Sequence, residues 1–427
     1  MERRVVITGV GAISPMGIGT EPFWSGIAEG RSAVRPISLF ESANFPVKVA
    51  AEVKDFDPKR FIEQRKSLKV MARDIQLTVS AARMGMEDSA IEIAKIDPTR
   101  LGISLGASLI SMSIEELSPS VRYSLTESGA FDIGKFGSDG MNLLFPLWML
   151  KYLPNMPACH ISIMYNAQGP NNTLTTACAA STQAIGEGLK VIQRGDADIM
   201  ITGGGDAKVN PLNVLRYYFS KCLSASARPP EKVSRPFDRD RDGFVVGEGA
   251  GIVILEELEH ARRRGAKIYA ELVGYGTASD GAGSLGQGFN GRGLAYAAES
   301  ALDDAEVNRD EIDYISASGL ATVLADRAET AGIKSVFGAA AGGIPMSAIR
   351  SMIGYPGASI GALQLIGAIM TVQRGVLPPT INLETPDPEC DLDYVPNTAR
   401  EKEVRTAMVN SFGMGGHTAS LILKKFV

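Results

Sequence analysis

Apolar positions along the chain gather in short β-branched runs: VVITGV (Val5 to Val10), LGISLGA (Leu101 to Ala107), ADIMITGG (Ala197 to Gly204) and GIVILEEL (Gly251 to Leu258). Longer stretches rich in small residues separate them, which predicts strands and helices in α/β layers. Within each run the apolar residues are nearly continuous, the pattern of interior strands in a sheet covered by helices on both faces. The pattern also repeats. AASTQAIGEGLKVIQRG (Ala179 to Gly195) resembles ASIGALQLIGAIMTVQRG (Ala358 to Gly375), and both end at a glycine suited to a helix C-terminus. GIVILEEL, after Gly247, Glu248 and Gly249, matches ASLILKKF (Ala419 to Phe426), after Gly415 and Gly416. Two copies of one α/β unit are therefore expected. They divide near the charged stretch HARRRGAK, giving halves of residues 1–260 and 261–427. The small residues let the repeated helices approach their neighbours closely, as in a stacked sandwich; the alternatives are chance similarity of Ala-rich helices or two α/β domains side by side.

Length and composition narrow the picture. A chain of 427 residues suits two or three globular units. Hydrophobic residues at 45% and charged residues at 21% exclude a disordered chain. A net charge of -5 argues against a nucleic-acid binder. The apolar segment from Asn142 to Met164 is interrupted by Lys151, Pro146, Pro154 and Pro157, so it reads as core and loop, with no membrane span. No secretory leader pattern precedes VVITGV, which predicts a cytoplasmic protein. The four cysteines lack CxxC spacing, so neither a metal site nor a disulfide is expected. GVGAIS (Gly9 to Ser14) lacks the last glycine of a dinucleotide fingerprint, and no bound cofactor is indicated.

Cys178 stands between a Thr-rich strand and a small-residue helix, in TTACAASTQAIGEG (Thr175 to Gly188). A helix N-terminus stabilises a thiolate and leaves backbone N–H groups free for an oxyanion. By itself, a cysteine in an Ala-rich run is ordinarily a small buried hydrophobe. Three stretches give it more: TTACAAS, RPFDRDRDGFVVGEGAGIVILEELEHARRRGAKIYAELVGYG (Arg235 to Gly276) and VNSFGMGGHTASLILKKF (Val409 to Phe426). They resemble the β-ketoacyl-acyl carrier protein synthases of the elongating type, and matching segments run from Val5 to the C-terminus. The resemblance implies a thiolase fold, a five-layer α-β-α-β-α sandwich of duplicated halves, and a dimer. It makes Cys178 the nucleophile that takes an acyl group from the phosphopantetheine thiol of an acyl carrier protein. It gives the oxyanion to the backbone amides of Cys178 and Met414, with Phe412 beside them. Met414 replaces an aromatic residue of the family, so it either admits differently shaped acyl chains or is a neutral core exchange.

The resemblance fails at two positions. The family's NAHGTSTPLNDKAET reads SASGLATVLADRAET (Ser316 to Thr330) here, placing Ser318 where the first catalytic histidine belongs. Leu320 replaces one pantetheine-contacting threonine, while Thr322, Asp326 and Glu329 are kept. The second histidine becomes Tyr355 in SAIRSMIGYPGASIG (Ser347 to Gly361), and the family's lysine becomes Arg350, which keeps its charge and does not give up a proton. Serine and tyrosine hydroxyls donate hydrogen bonds without titrating near neutrality. Acyl transfer to Cys178 is thus better supported than decarboxylative condensation. His160, His260 and His417 fall outside the catalytic positions; His417 is expected to be structural and His260 solvated.

Arg65, Lys66 and Lys69 form a basic cluster on an acidic chain, read either as a solvated face or as a docking patch for the acidic carrier. The loop GAGSLGQGFNGRG after Asp280 departs from the family and is expected to reshape the entrance. The expected function is a carrier-dependent acyltransferase or condensing enzyme of fatty-acid or polyketide synthesis. The alternative is a chain-length-factor-like partner of an active ketosynthase, in a homodimer or heterodimer. A thioester hydrolase would need a water-activating base that the sequence does not offer.

Overall fold

The computed structural model describes residues 3–281 and 289–427. The main path of the large sheet takes these strands from the first part of the chain: β1 (Val5–Ser14), β2 (Leu101–Gly106), β3 (Asn171–Leu174), β4 (Ile199–Ala207) and β5 (Glu248–Glu257). They lie in the order β3-β2-β4-β5-β1. β2 is parallel to β3 and β4, while β5 is antiparallel to β4 and β1. From the second part it takes β6 (Ala270–Ser279), β7 (Tyr314–Ser316), β8 (Met346–Ser347), β9 (Thr406–Phe412) and β10 (His417–Lys424). Their order, β8-β7-β9-β10-β6, and their pattern of parallel and antiparallel neighbours repeat the first set strand for strand. The two sets meet where Val6 and Ile7 of β1 pair with Glu271 and Ala270 of β6.

Parallel neighbours need a crossover, and helices supply it. They are α1 (Arg73–Ser89), α2 (Met156–Tyr165), α3 (Ala180–Arg194), α4 (Arg292–Asp304), α5 (Val323–Phe337) and α6 (Ile360–Arg374). α3 and α6 touch each other and strands of both sets, so they form a central layer. α1 and α2 cover the outer face of the first set, α4 and α5 that of the second. This is the five-layer α-β-α-β-α sandwich. The central position explains the small residues: a Cβ on Gly361 of α6 would lie 1.9 Å from Thr182 Oγ1 of α3, and one on Gly186 would lie 2.2 Å from the Tyr275 ring of β6. α3 and α6 both end at a left-handed glycine, Gly195 and Gly375, as the repeated termini require.

Three expectations meet a different outcome or none. The segment expected as core and loop holds short 3-10 turns and α2, and Leu143, Phe145, Leu147, Met149 and Ile163 are exposed, because much of it lies outside the layered sandwich. His260, expected to be solvated, has its Nδ1 2.6 Å from Glu256 Oε1, a carboxylate at the end of β5. Within the departing loop, residues 282–288 lie outside those described. No helix among the described residues is long and apolar enough to cross a membrane.

Candidate active site

β3 delivers the chain to a 3-10 turn, Ala177–Ala179, that runs directly into α3. Cys178 sits in this turn, fully buried at the start of the central helix. Ala177 before it has φ 52°, a left-handed conformation that alanine adopts at a cost of about 1 kcal/mol and that the surrounding turn enforces. Gly413, just after β9, closes on Cys178: a Cβ there would lie 3.1 Å from Cys178 Cβ and 3.2 Å from its backbone nitrogen. The Gly413 N–H donates to the His417 carbonyl at 3.1 Å. The Cys178 and Met414 N–H groups donate to no other group among the described residues. A backbone N–H without a protein partner is free to donate to an incoming group.

Tyr355 joins Cys178 from the turn before α6. The Cys178 S–H donates to the Tyr355 hydroxyl at 3.2 Å. Tyr355 is held on all sides. Its N–H donates to the Val245 carbonyl at 2.7 Å and its carbonyl accepts the Gly247 N–H at 2.9 Å. Its ring stacks on Phe244 at 4.3 Å and meets Tyr217 edge-on at 5.7 Å. Burial, with the adjacent Cys178 and Tyr217, pushes the phenol well above its ordinary value, so Tyr355 stays a neutral phenol and is no base.

The serine takes a different place. The Ser318 hydroxyl donates to the Phe412 carbonyl at 3.1 Å and accepts the Phe412 N–H at 3.2 Å. Its single proton is committed to the backbone that leads into Gly413. The Ser318 and Gly319 N–H groups donate to Glu329 at 2.7 and 2.8 Å. Burial raises Glu329 to about 7 against those two bonds. Asp326 accepts N–H bonds from Phe237 and Ala321 at 2.8 and 3.0 Å and pairs with Arg241 at 3.1 Å; burial still raises it to about 6. Arg350 is 2% exposed, with its Cζ 5.6 Å from the Tyr355 ring centroid, and none of its three guanidinium nitrogens has a hydrogen-bond partner among the described residues.

Phe412 is buried with its ring 4.6 Å from Phe289, and Met414 packs half-buried against the same core as Cys178. Leu320 is buried in that core, while Thr322 is half-buried at the start of α5. Arg65, Lys66 and Lys69 are exposed in and beside a short 3-10 turn. The four cysteines are free thiols. Sequence reasoning missed Ala177, Phe244, Tyr217 and the buried pair Asp206 and Lys208. Nothing local in the sequence signals a left-handed alanine or the burial of Asp206 and Lys208.

Residues 2–261 match the family model for the β-ketoacyl synthase N-terminal domain, and residues 269–384 that for the C-terminal domain. A 3-oxoacyl-[acyl-carrier-protein] synthase 2 of Coxiella burnetii is 38% identical over 424 residues, covering 99% of each chain. The tetracenomycin polyketide synthase ketoacyl synthase alpha subunit of Streptomyces glaucescens is 38% identical over 425 residues, covering 99% of this chain and 97% of that one. Among solved structures, the ishigamide ketosynthase/chain length factor superposes with a TM-score of 0.89 at 35% identity, covering 100% of both chains.

Proposed function

The chain belongs to the β-ketoacyl synthase family, and from that premise we propose that it takes an acyl group from an acyl carrier protein as a thioester on Cys178, with acyl transfer or condensation following. Residues 1–260 form the half that carries the nucleophile, and residues 261–427 the half that carries Ser318, Arg350 and Tyr355. The observation that carries this reading is the buried Cys178 thiol at the start of α3, 3.2 Å from a hydroxyl that can only donate once the sulfur is ionised.

The Cys178 thiolate attacks the carbonyl carbon of the carrier-bound thioester. A sulfur–carbon bond forms, and the carbonyl oxygen takes the negative charge facing the Cys178 and Met414 amides. Collapse breaks the bond to the phosphopantetheine sulfur, which leaves as a thiolate and takes a proton from solvent. No imidazole is needed for this half. Decarboxylation of a malonyl thioester would place charge on an enolate oxygen. The Tyr355 hydroxyl and the unpartnered Arg350 guanidinium are suited to hold that charge, while the Ser318 proton is already committed to Phe412. Arg65, Lys66 and Lys69 supply an exposed positive surface for the acidic carrier, where exposed charges steer encounter.

A second reading is a chain-length-factor-like partner that shapes the pocket of a second ketosynthase-like subunit. The absence of both imidazoles favours it; the retained Cys178 does not.

Intact-mass measurement after incubation with acyl-carrier protein tests the proposal. The expected result is a mass increase equal to the acyl group on the unmodified protein and none on Cys178→Ala. No increase on the unmodified protein would overturn acyl capture. Once an adduct is seen, malonyl-carrier protein separates the outcomes: carbon dioxide with a product two carbons longer shows condensation, and acyl transfer to another acceptor shows acyltransferase activity.

A further inference from the structure

β7 and β9 run parallel, and their pairing stops at Ser316 and Val409. On its other side β9 goes on pairing with β10 through Asn410, Ser411 and Phe412. Backbone groups alternate from side to side along a strand, so past Val409 the carbonyl of Asn410 and both backbone groups of Phe412 face the strand that has parted from β9. Ala317, the first residue after β7, has meanwhile given its N–H to the Ser347 carbonyl of β8 at 2.9 Å. Two side chains bridge the gap. Gln364 of α6, fully buried, donates through Nε2 to the Ala317 carbonyl at 2.6 Å and to the Asn410 carbonyl at 3.1 Å. One step further along, the Ser318 hydroxyl bonds to both backbone groups of Phe412.

Direct pairing would close the two strands to about 4.8 Å. An amide nitrogen set between two carbonyl oxygens keeps them apart and still satisfies both. The direction of the amide follows from its neighbours, since the reverse would set Oε1 against two oxygens. In the direction adopted, Gln364 Oε1 is buried without a partner among the described residues, so the amide serves the two carbonyls and not itself. The functional groups lie just past the gap. Phe412 leads into Gly413, where a Cβ would lie 3.1 Å from Cys178 Cβ, and then into Met414. Ser411, between the two bridged residues, has its hydroxyl 2.5 Å from that of Thr182 on α3, the helix that follows Cys178. The end of β9 is thus held by α6 through Gln364, by the chain after β7 through Ser318 and by α3 through Thr182.

We infer that Gln364 is a positioning residue: by holding β7 and β9 apart beside Ser318, it sets where the Met414 N–H lies relative to the Cys178 N–H. The inference rests on the reading of Cys178 as the acyl acceptor and extends it to what keeps the two oxyanion donors in place. A donor to an oxyanion is effective only at hydrogen-bond distance from the place where the charge develops. A shift of Asn410, carried along the chain to Met414, therefore acts on acyl transfer and leaves the thiol as it was. Two reactions of Cys178 separate these effects. With a hexanoyl thioester of N-acetylcysteamine, the sulfur attacks the carbonyl carbon, the oxygen takes the charge, and N-acetylcysteamine leaves as a thiolate that takes a proton from solvent. With iodoacetamide, the sulfur displaces iodide at a saturated carbon, a step that needs the thiolate and forms no oxyanion.

The rates of both reactions, followed at the Cys178 peptide by mass spectrometry, test the inference. In Gln364→Met, acylation by the hexanoyl thioester is expected to slow about tenfold or more, while alkylation changes by less than about twofold. Unchanged acylation, or an equal loss in both reactions, would overturn the inference, because general loosening of the fold slows both alike. Gln364→Met combined with Ser318→Ala is expected to acylate little more slowly than the slower single variant, since both bridges hold one gap. Losses that multiply would mean that the two side chains act independently, against the inference. If Gln364→Met does not fold, Gln364→Asn decides: its amide is one methylene too short to reach both carbonyls, and equal effects on the two reactions sink the idea. The small thioester needs no carrier. Unmodified protein that takes hexanoyl from it but none from acyl-carrier protein would reject carrier capture and leave this inference standing, whereas no acylation by the small thioester would reject both.

Discussion

Ser318 shows what a hydroxyl does at a position that the family resemblance gives to a histidine. Its hydroxyl satisfies both the N–H and the carbonyl of Phe412, the residue before the glycine that closes on Cys178. Removing it leaves two buried backbone groups without their partner, at about 1 to 3 kcal/mol. Ser318→Ala is therefore expected to lower stability by that amount in urea unfolding and to slow acylation of Cys178. A variant as stable as the unmodified protein would show that the bridge is dispensable. Arg350 differs in kind. A buried guanidinium without hydrogen-bond partners is costly, and it persists here between the Tyr355 ring and the field of the Asp326 and Glu329 carboxylates.

Among the elements, the crossing of α3 and α6 is the tightest constraint on the site, because α3 begins just past Cys178 and α6 just past Tyr355. Where they meet, Gly361 faces Thr182, whose hydroxyl is 2.5 Å from that of Ser411 on β9. A methyl at Gly361 has no room and cannot be moved away without breaking that contact. Gly361→Ala is expected to cost about 1 to 3 kcal/mol by overpacking and to lower the melting temperature. Unchanged melting would mean that the two helices separate more easily than their packing implies. The repeated QRG termini made these two helices legible in the sequence as equivalents. Their contact was not legible, since a helical period identifies an apolar face without saying which element covers it.

For the whole molecule, buried carboxylates set the response to pH. Burial raises Asp74, Asp326 and Glu329 to about 7, 6 and 7, whereas an unfolded chain ionises such groups near 4. Between those limits the folded state holds more protons, so stability falls as pH rises through the window. Asp198, bonded to Arg100 and Arg3, is held at about 2; Asp387 reaches about 2 despite its burial, through the Glu389 N–H, Arg327 and Arg241. Their contribution is present above about 4 and is lost as pH falls towards 2. Calorimetry is expected to give a higher melting temperature at pH 5.5 than at pH 8, with a smaller difference in Asp74→Asn. A melting temperature that climbs from pH 5.5 to 8 would contradict this assignment.

The sequence alone determined the layered α/β class and the duplication, through local periodicity and repeated segments that survive in one dimension, while the family resemblance is what proposes Cys178 as the nucleophile and Ser318 and Tyr355 as the positions of two missing imidazoles. The tertiary structure decided what the replacements do. Ser318 and Tyr355 are both hydroxyl donors by sequence. Only the packed chain gives one to the Phe412 backbone and the other to Cys178, because a hydroxyl's partner depends on which elements the fold brings within about 3 Å of it. The burial and pairing of Lys208 and Asp206 are likewise invisible in the sequence: they arise when the Tyr355 turn and α1 close over the end of β4, and neither contact is local in the chain.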